Sequence, residues 1–549
     1  MKKNLDFAFP AVVVIATIVL SFFALPYHVD SMYDEGYLWL CVQNAMNGKV
    51  RGSSLWANML VALLGDKICS SILALRIVNA VLSILSAFAF WLLTHSLVTK
   101  DRVSSIAYLI LVFFLLNPIC TIIICYNGIS RFLLLLACAA SLRLFYENKS
   151  RKEWIWAVLI GFTIMLSFFS ILPSAVMVGG SVILLSIIYY WKKWNKMMKV
   201  FGMMALGAIA ALLITHWFFA DMRDVLASMK DTAQTITKVN RGYDPLSFVI
   251  SVLFFVRDIS FYILTSVGII MISLFIKKNG FSWVASLFYV ISFFVYWHYQ
   301  KKPSMTLGIQ LSLIWLQPLV TKWKDKQIHS IKELFTFDSI FNLFLIIFPV
   351  LAVLGTNLPL GLKIGWFIVP WALVSWRLGF GEANKQFRGE VLLLLSLVMV
   401  LGLVSGNKGI DKSQTVVDHG ALKGMHLTKQ QECHFHEVQT IMDEYQFRKG
   451  ESVVYATYSS YMTVCYLDAV PCGLFFQPPD FVAHASEDLP TPDFIFMDIA
   501  DDWVATETMK KMPWGWPDEF DKYFVGTPEH IVVDWSTDRH LYCRKCLKK

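Results

Sequence analysis

Charge is scarce in this chain. Only 16% of its 549 residues are Asp, Glu, Lys or Arg, against 56% hydrophobic. A soluble protein carries charge on roughly a quarter of its residues, so a soluble globular fold is excluded. Other absences narrow the function. In the C-terminal tail no Gly-rich phosphate loop precedes a helix, which argues against nucleotide binding there. The Cys543/Cys546 pair has no second C-x-x-C and no paired histidines nearby, so zinc-ligand spacing is lacking. No internal repeat stands out, and the charges gather at span ends, which counts against a transporter. No A-x-A cleavage site follows the basic N-terminus, so "MKKNLDFAFPAVVVIATIVLSFFALPY" reads as a retained first span.

What is present in abundance is the apolar run. Stretches of about 18 to 22 residues recur over the first 400 positions, the length that crosses a bilayer core. Thirteen spans are expected, at 8–27, 71–94, 104–124, 129–146, 154–171, 173–190, 199–219, 259–276, 281–298, 305–320, 339–357, 361–377 and 389–404. Asn117-Pro118 should break or kink the third.

Charge also divides the chain. Residues 1–404 carry 34 Lys and Arg against 18 Asp and Glu; residues 405–549 carry 14 against 22. The excess of base lies in short loops such as "TKDR", "ENKSRKE" and "WKKWNKMMK". That placement marks the cytoplasmic side rather than a nucleic-acid surface, and no nucleic-acid partner is expected. An odd number of spans puts 405–549 on the extracytoplasmic side. This tail alternates β-rich runs ("ESVVYATY", "PDFIFMDI", "EHIVVDW") with a helical stretch at "TKQQECHFHEVQTIMDEYQF", the pattern of a small α/β domain. In an oxidising compartment, Cys465–Cys472 and Cys543–Cys546 are the local disulfide candidates.

Three longer segments share the outer side: 28–70, 220–258 and the tail. The first holds two short amphipathic runs, "DEGYLWLCVQNAMNG" and "SSLWANMLVALLG", read as surface helices. Residues 220–246 read as a mobile loop. Parity then gathers polar groups on this one face: Asp34 and Glu35; Tyr126, Asn127 and Arg131; His216; Arg257 and Asp258; His298, Lys301 and Lys302. Ionisable groups near bilayer depth are costly and line cavities or pathways. Cations beside a carboxylate suit a phosphorylated lipid ligand: Lys and Arg hold phosphate, and the carboxylate does proton chemistry. Each group also has a plainer reading. Acids favour the first turn of a helix, Arg131 could snorkel to headgroups, and Lys301-Lys302 could anchor the interface.

The stretch "YDEGYLWLCVQNAMNG…LWANMLVALLG…LALRIVNAVLSIL" resembles the GT-C membrane glycosyltransferases, in the bacterial subgroup of aminoarabinose transferases, protein O-mannosyltransferases and lipopolysaccharide sugar transferases. "HYQKKPSMTLGIQLSLIWLQPL" is similar to their basic loop that contacts lipid phosphate. The "hPPLYY" segment of that pattern is replaced by "GSSLWAN", and the W-W-D signature of oligosaccharyltransferases is absent.

The resemblance implies a polytopic α-helical membrane protein of the bacterial inner membrane, GT-C-like over 1–404, with an extracytoplasmic α/β domain at 405–549. It implies sugar transfer from a polyprenyl-phosphate donor to a lipid, glycan or protein acceptor among membrane lipids. Asp34 would be the catalytic carboxylate, with Glu35 a neighbour that orients the loop or contacts acceptor or cation. Among the groups that span parity places on this face, Arg131, Lys301 and Lys302 are the candidates to bind the donor phosphate, and Tyr126, Asn127, His216, Arg257, Asp258 and His298 the candidates to line the site. No metal ligands are assigned; a divalent cation is the one cofactor the family pattern leaves open. The competing reading is a transporter or a flippase for lipid-linked sugar.

Overall fold

The computed structural model describes residues 5–27, 35–47, 55–116, 123–147, 152–239, 245–300, 316, 336–354, 364–381, 385–406 and 415–444, and shorter stretches of the tail at 447–448, 450, 452–456, 462–471, 494–498, 524–526, 531–533 and 537–544. Helices dominate. A first helix α1 (Leu5–Ala24) leads to three short ones, α2 (Glu35–Met46), α3 (Leu55–Ala62) and α4 (Asp66–Cys69). Then come α5 (Ile72–Val98), α6 (Arg102–Phe114), α7 (Tyr126–Tyr146), α8 (Glu153–Ser170), α9 (Leu172–Tyr190) and α10 (Trp194–Phe218). The remaining helices before the tail are α11 (Met222–Val239), α12 (Pro245–Lys278), α13 (Ser282–Gln300), α14 (Phe337–Ala352), α15 (Pro370–Ser375) and α16 (Lys385–Gly406).

Among the described residues, six helices are long and apolar enough to cross a membrane, and four shorter apolar helices accompany them. Their placement explains the greasy composition. Of the most apolar stretch of α7, 78% is buried, against 22% for α12. So α7 is a central helix, and α12 turns most of its surface outward. Exposed Leu85, Leu92, Leu206, Leu253 and Leu264 belong to such outward faces. In a bilayer these side chains meet lipid, which is why they need no protein cover.

Close helix packing depends on small residues. A Cβ on Gly161 would collide with the backbone carbonyl of Met204, and one on Gly207 with that of Val158. The two glycines therefore let α8 and α10 approach backbone to backbone, as small residues do in membrane bundles.

The structure departs from the expected spans in several places. The third helix ends at Phe114, before Asn117-Pro118, which lie outside the described residues. Residues 222–239 form a helix, not a loop. Its polar sequence is strongly amphipathic at helical spacing, and that periodicity overrides the lack of an apolar run. The next helix begins at Pro245, 14 residues before the expected span, and its 34 residues reach about 51 Å at 1.5 Å each. The stretch expected as one span at 361–377 is broken: a 3₁₀ turn at Gly365–Phe367, then α15, then a π-helical turn at Trp376–Phe380. Apart from residue 316, the expected span at 305–320 lies outside the described residues.

The tail holds α17 (Lys429–Glu444) and α18 (Met462–Tyr466) with strands β1 (Thr415–Val416), β2 (His426–Leu427), β3 (Ser452–Ala456), β4 (Val470–Pro471), β5 (Phe494–Asp498), β6 (Phe524–Gly526), β7 (Ile531–Val533) and β8 (Thr537–Arg544). A capping box starts α17: the Thr428 and Gln431 side chains each accept the other's backbone N–H. The main sheet runs β4-β3-β5-β8-β6, with β7 also on β8. Strands β4, β3 and β5 are parallel, and β8 is antiparallel to its neighbours. This is the α/β domain expected from the sequence. Strand β8 was not foreseen, because "TDRHLYCR" lacks an apolar run.

The tail packs on the end of the bundle that carries α2 to α4. Val417, Leu422, Met425, Phe435, Val464 and Leu467 share one hydrophobic core with Tyr37, Cys41, Trp56, Leu75 and Ile123. Backbone bonds reinforce the docking: Ile72 N–H donates to Ala421 O at 3.0 Å, and His426 N–H to Pro26 O at 2.8 Å. The His426 ring lies 4.3 Å from that of Tyr27. The tail and the segment 28–70 therefore lie on the same face.

Candidate active site

The centre of this face is an ion pair. Glu35 opens α2, where an acid suits the helix N-terminus. Arg76 lies one turn inside α5, whose first turn is capped by the Ser71 side chain accepting the Ala74 N–H. Arg76 Nε donates to Glu35 Oε1 at 2.7 Å and Nη2 to Oε2 at 2.6 Å, and neither residue has any exposed surface. The remaining edge of the guanidinium donates to Leu25 O at 2.5 Å and Tyr27 O at 2.8 Å. Glu35 Oε1 also accepts the Ile123 N–H at 3.0 Å. Ile124 N–H donates to Leu75 O at 3.1 Å.

One guanidinium thus ties the end of α1 to the start of α2. Residues 28–34, between these anchors in the sequence and including Asp34, lie outside the described residues. The Ile123 contact ties in the chain before α7 as well. Burial raises the Glu35 carboxyl above its ordinary value. The Arg76 charge, its N–H donors and the Ile123 N–H act against that rise and favour the carboxylate.

A polar stripe continues down α5. Arg76, Asn79, Ser83 and Ser86 recur every three or four residues, so they share one helix face, and all are buried. This face meets α7. Arg131 donates through Nη2 to Ser83 Oγ and is 5% exposed. Gly128 leaves room for Asn79: a Cβ there would lie 2.5 Å from the Asn79 Oδ1. Farther along, Ser130 on α7 bonds Ser167 on α8 at 2.9 Å. Polar groups inside a bundle stay there when they satisfy one another.

The residues expected at the site have different fates. Glu35 lies at the centre, engaged by Arg76, with Cys465 beside it. Arg131 joins the stripe below. Tyr126 and Asn127 form the first turn of α7, half-buried, directly after Ile123, Ile124 and Cys125. His216 is exposed in the last turn of α10. Arg257 and Asp258 lie inside α12 rather than ahead of it. They pair with each other at 2.9 Å on the surface, with the guanidinium 4.8 Å from the Phe254 ring centre. The displacement follows from the early start of α12. His298 lies on α13. Asp34, Lys301 and Lys302 lie outside the described residues.

Among the described residues, no group of three His, Cys, Asp or Glu converges as metal ligands would. The expected Cys465–Cys472 bridge is corrected. Cys465 is a free, buried thiol that donates to Gly36 O at 3.8 Å. Burial first, then the Glu35 charge, pushes this thiol well above its ordinary value. Cys472 and Cys546 lie outside the described residues.

Arg76 was missed by sequence reading. The signal was there: a single arginine in an otherwise apolar span, followed by Asn79, Ser83 and Ser86 on one face. A lone cation at membrane depth announces a partner, although not which one.

No family model matches the chain, and no curated protein matches it. It is similar to solved structures. The Archaeoglobus fulgidus oligosaccharyltransferase in the apo form is 12% identical, over 94% of this chain and 73% of that one, with a TM-score of 0.47. The same protein in complex with Zn and sulfate gives 12% identity, 93% and 71% coverage, and a TM-score of 0.45. ArnT from Cupriavidus metallidurans bound to undecaprenyl phosphate is 13% identical, over 97% of this chain and 98% of that one, with a TM-score of 0.43. At these levels of likeness, the reading of the site rests on its own residues.

Proposed function

We propose that the chain is a GT-C-type membrane glycosyltransferase. It moves a sugar from a polyprenyl-phosphate donor to a hydroxyl-bearing glycan, lipid or protein on the extracytoplasmic face. The observation that carries this reading is the Arg76–Glu35 clamp. A fully buried, two-point ion pair is expensive to build, and here it joins the end of α1 to the start of α2. Asp34 directly precedes Glu35 in the sequence.

In the proposed reaction Asp34 accepts the proton of the acceptor hydroxyl. The acceptor oxygen bonds to the anomeric carbon as the bond from that carbon to the phosphate oxygen breaks. The electron pair leaves with the lipid phosphate, which is a good leaving group and needs cations rather than a proton. That asymmetry calls for one acid and several basic groups, unlike hydrolysis between two carboxylates. Lys301 and Lys302 are the proposed contacts to the phosphate. Arg131 adds a buried positive charge on the α5–α7 seam, where the low dielectric extends its reach. Glu35 is assigned as a positioning residue, because Arg76 and Ile123 already engage its oxygens. No step passes through a metal.

The test is sugar transfer in membranes supplied with a polyprenyl-phosphate sugar. Asp34→Asn should abolish transfer while the chain still accumulates in the membrane. Transfer that survives this change would remove Asp34 from the chemistry, and absence of transfer by the parent chain would return the flippase reading to first place.

A further inference from the structure

A polar cavity opens on the same face, between the surface helices and the tail, with a volume of about 600 Å³. Small-molecule sites span roughly 300 to 1,000 Å³. Its walls come from three parts of the chain. Helix α2 supplies Trp39 and Gln43, α4 supplies Lys67, the α4–α5 turn supplies Ser71, and the tail supplies Lys423 and Asp468.

The walls are fixed. Trp39 Nε1 and Gln43 Nε2 both donate to Cys69 O, at 2.9 and 2.7 Å, which sets the indole and amide planes. The tail wall is pinned by the bond from Ile72 N–H to Ala421 O. Asp468 is the one non-glycine among the described residues with positive φ, at 52°. A left-handed backbone held outside glycine is found where the surrounding structure requires it, often at binding sites. It stands against Gly420, itself at φ 60°, where a Cβ would lie 2.9 Å from the Asp468 carboxylate. Gly420 and Asp468 both line the cavity.

We infer that this cavity binds an anionic saccharide, a sugar that carries a phosphate or carboxylate. Two exposed ammonium groups against one carboxylate favour a ligand of net negative charge. The carboxylate, the Gln43 carbonyl and the Ser71 hydroxyl can accept from or donate to sugar hydroxyls, and the indole offers an apolar wall. A bare anion would leave those neutral groups and the ring without a role. Gln43 lies two turns along α2 from Glu35, about 12 Å at 1.5 Å per residue. That spacing places the cavity beside the proposed transfer centre, where it would hold the anionic part of the acceptor. The role as an acceptor site rests on the transferase reading; the binding itself does not.

The experiment is equilibrium titration of the purified full-length chain in neutral detergent, with no donor present. Glucose 1-phosphate is the probe, and glucose and inorganic phosphate are the controls. Glucose 1-phosphate should bind more tightly than either control. The double variant Lys67→Ala, Lys423→Ala should weaken it by about tenfold or more, with the thermal midpoint unchanged. Asp34→Asn should bind as the parent does. Equal affinity of parent and double variant, or of glucose 1-phosphate and either control, would overturn the inference. Loss of transfer in Asp34→Asn with binding retained supports both readings. No transfer by the parent chain while glucose 1-phosphate still binds removes the transferase assignment alone.

Discussion

Glu35 and Arg76, 41 positions apart, meet in a two-point ion pair at 2.6 and 2.7 Å with no surface exposed on either. Removing one partner leaves an uncompensated buried charge, which costs about 3–5 kcal/mol. Arg76→Ala should therefore reduce stability by that amount. It also strips the carbonyls of Leu25 and Tyr27 of their donors. Glu35→Gln should cost a comparable amount, because the Arg76 charge is then buried without its counter-charge even though the amide oxygen still accepts from Ile123. Thermal unfolding in detergent measures both; equal and negligible shifts would refute the clamp.

A contrast comes from the opposite end of the bundle. There Arg377 pairs with Asp338 at 2.9 Å and donates to Tyr146 Oη at 3.0 Å, with its guanidinium 4.5 Å from the Tyr146 ring centre. Asp338 is 63% exposed. Such pairs contribute about 0–1 kcal/mol. Asp338→Ala should shift the midpoint far less than Arg76→Ala, and a shift of equal size would contradict the difference in burial.

Helix packing offers a third check. Gly161→Leu should force α8 and α10 apart, because the added side chain meets the Met204 carbonyl. Overpacking of this kind costs about 1–3 kcal/mol or more. Gly180→Ala should be neutral by comparison, since nothing lies within 4 Å of a Cβ there. A loss of folded yield in the second variant and not the first would reverse the assignment.

Thiol chemistry separates two tail cysteines. Cys433 is exposed, while Cys465 is buried with its thiol held well above the ordinary value. The thiolate is the reactive form. Near neutral pH a maleimide should label Cys433 quickly and leave Cys465 protonated and unmodified until the chain unfolds. For a group with a raised value, a rise in pH toward the ordinary thiol range leaves it protonated in the folded chain. Fast labelling of Cys465 in native protein would disprove its burial against Gly36.

Much of this was legible in residue order. The apolar runs at 72–98, 126–146 and 153–170 had to become membrane-length helices, because in lipid only a helix satisfies its own backbone. "EGYLWLCVQNAM" had to be a helix with its acid at the start, and "TKQQ" had to cap one. Breaks at Pro and Gly, and the polar but periodic 222–239, were where reading by hydropathy failed.

By itself, then, the sequence determined the membrane class, most helices, the α/β tail and the acid pair at 34 and 35. These follow from local periodicity and from the cost of unsatisfied backbone in lipid. Only tertiary structure decided that Glu35 belongs to Arg76, that Cys465 stays a thiol, and that the tail closes a cavity over α2. Each of those joins residues far apart in the chain, and pairing across such distances depends on how helices pack rather than on the order of residues within them.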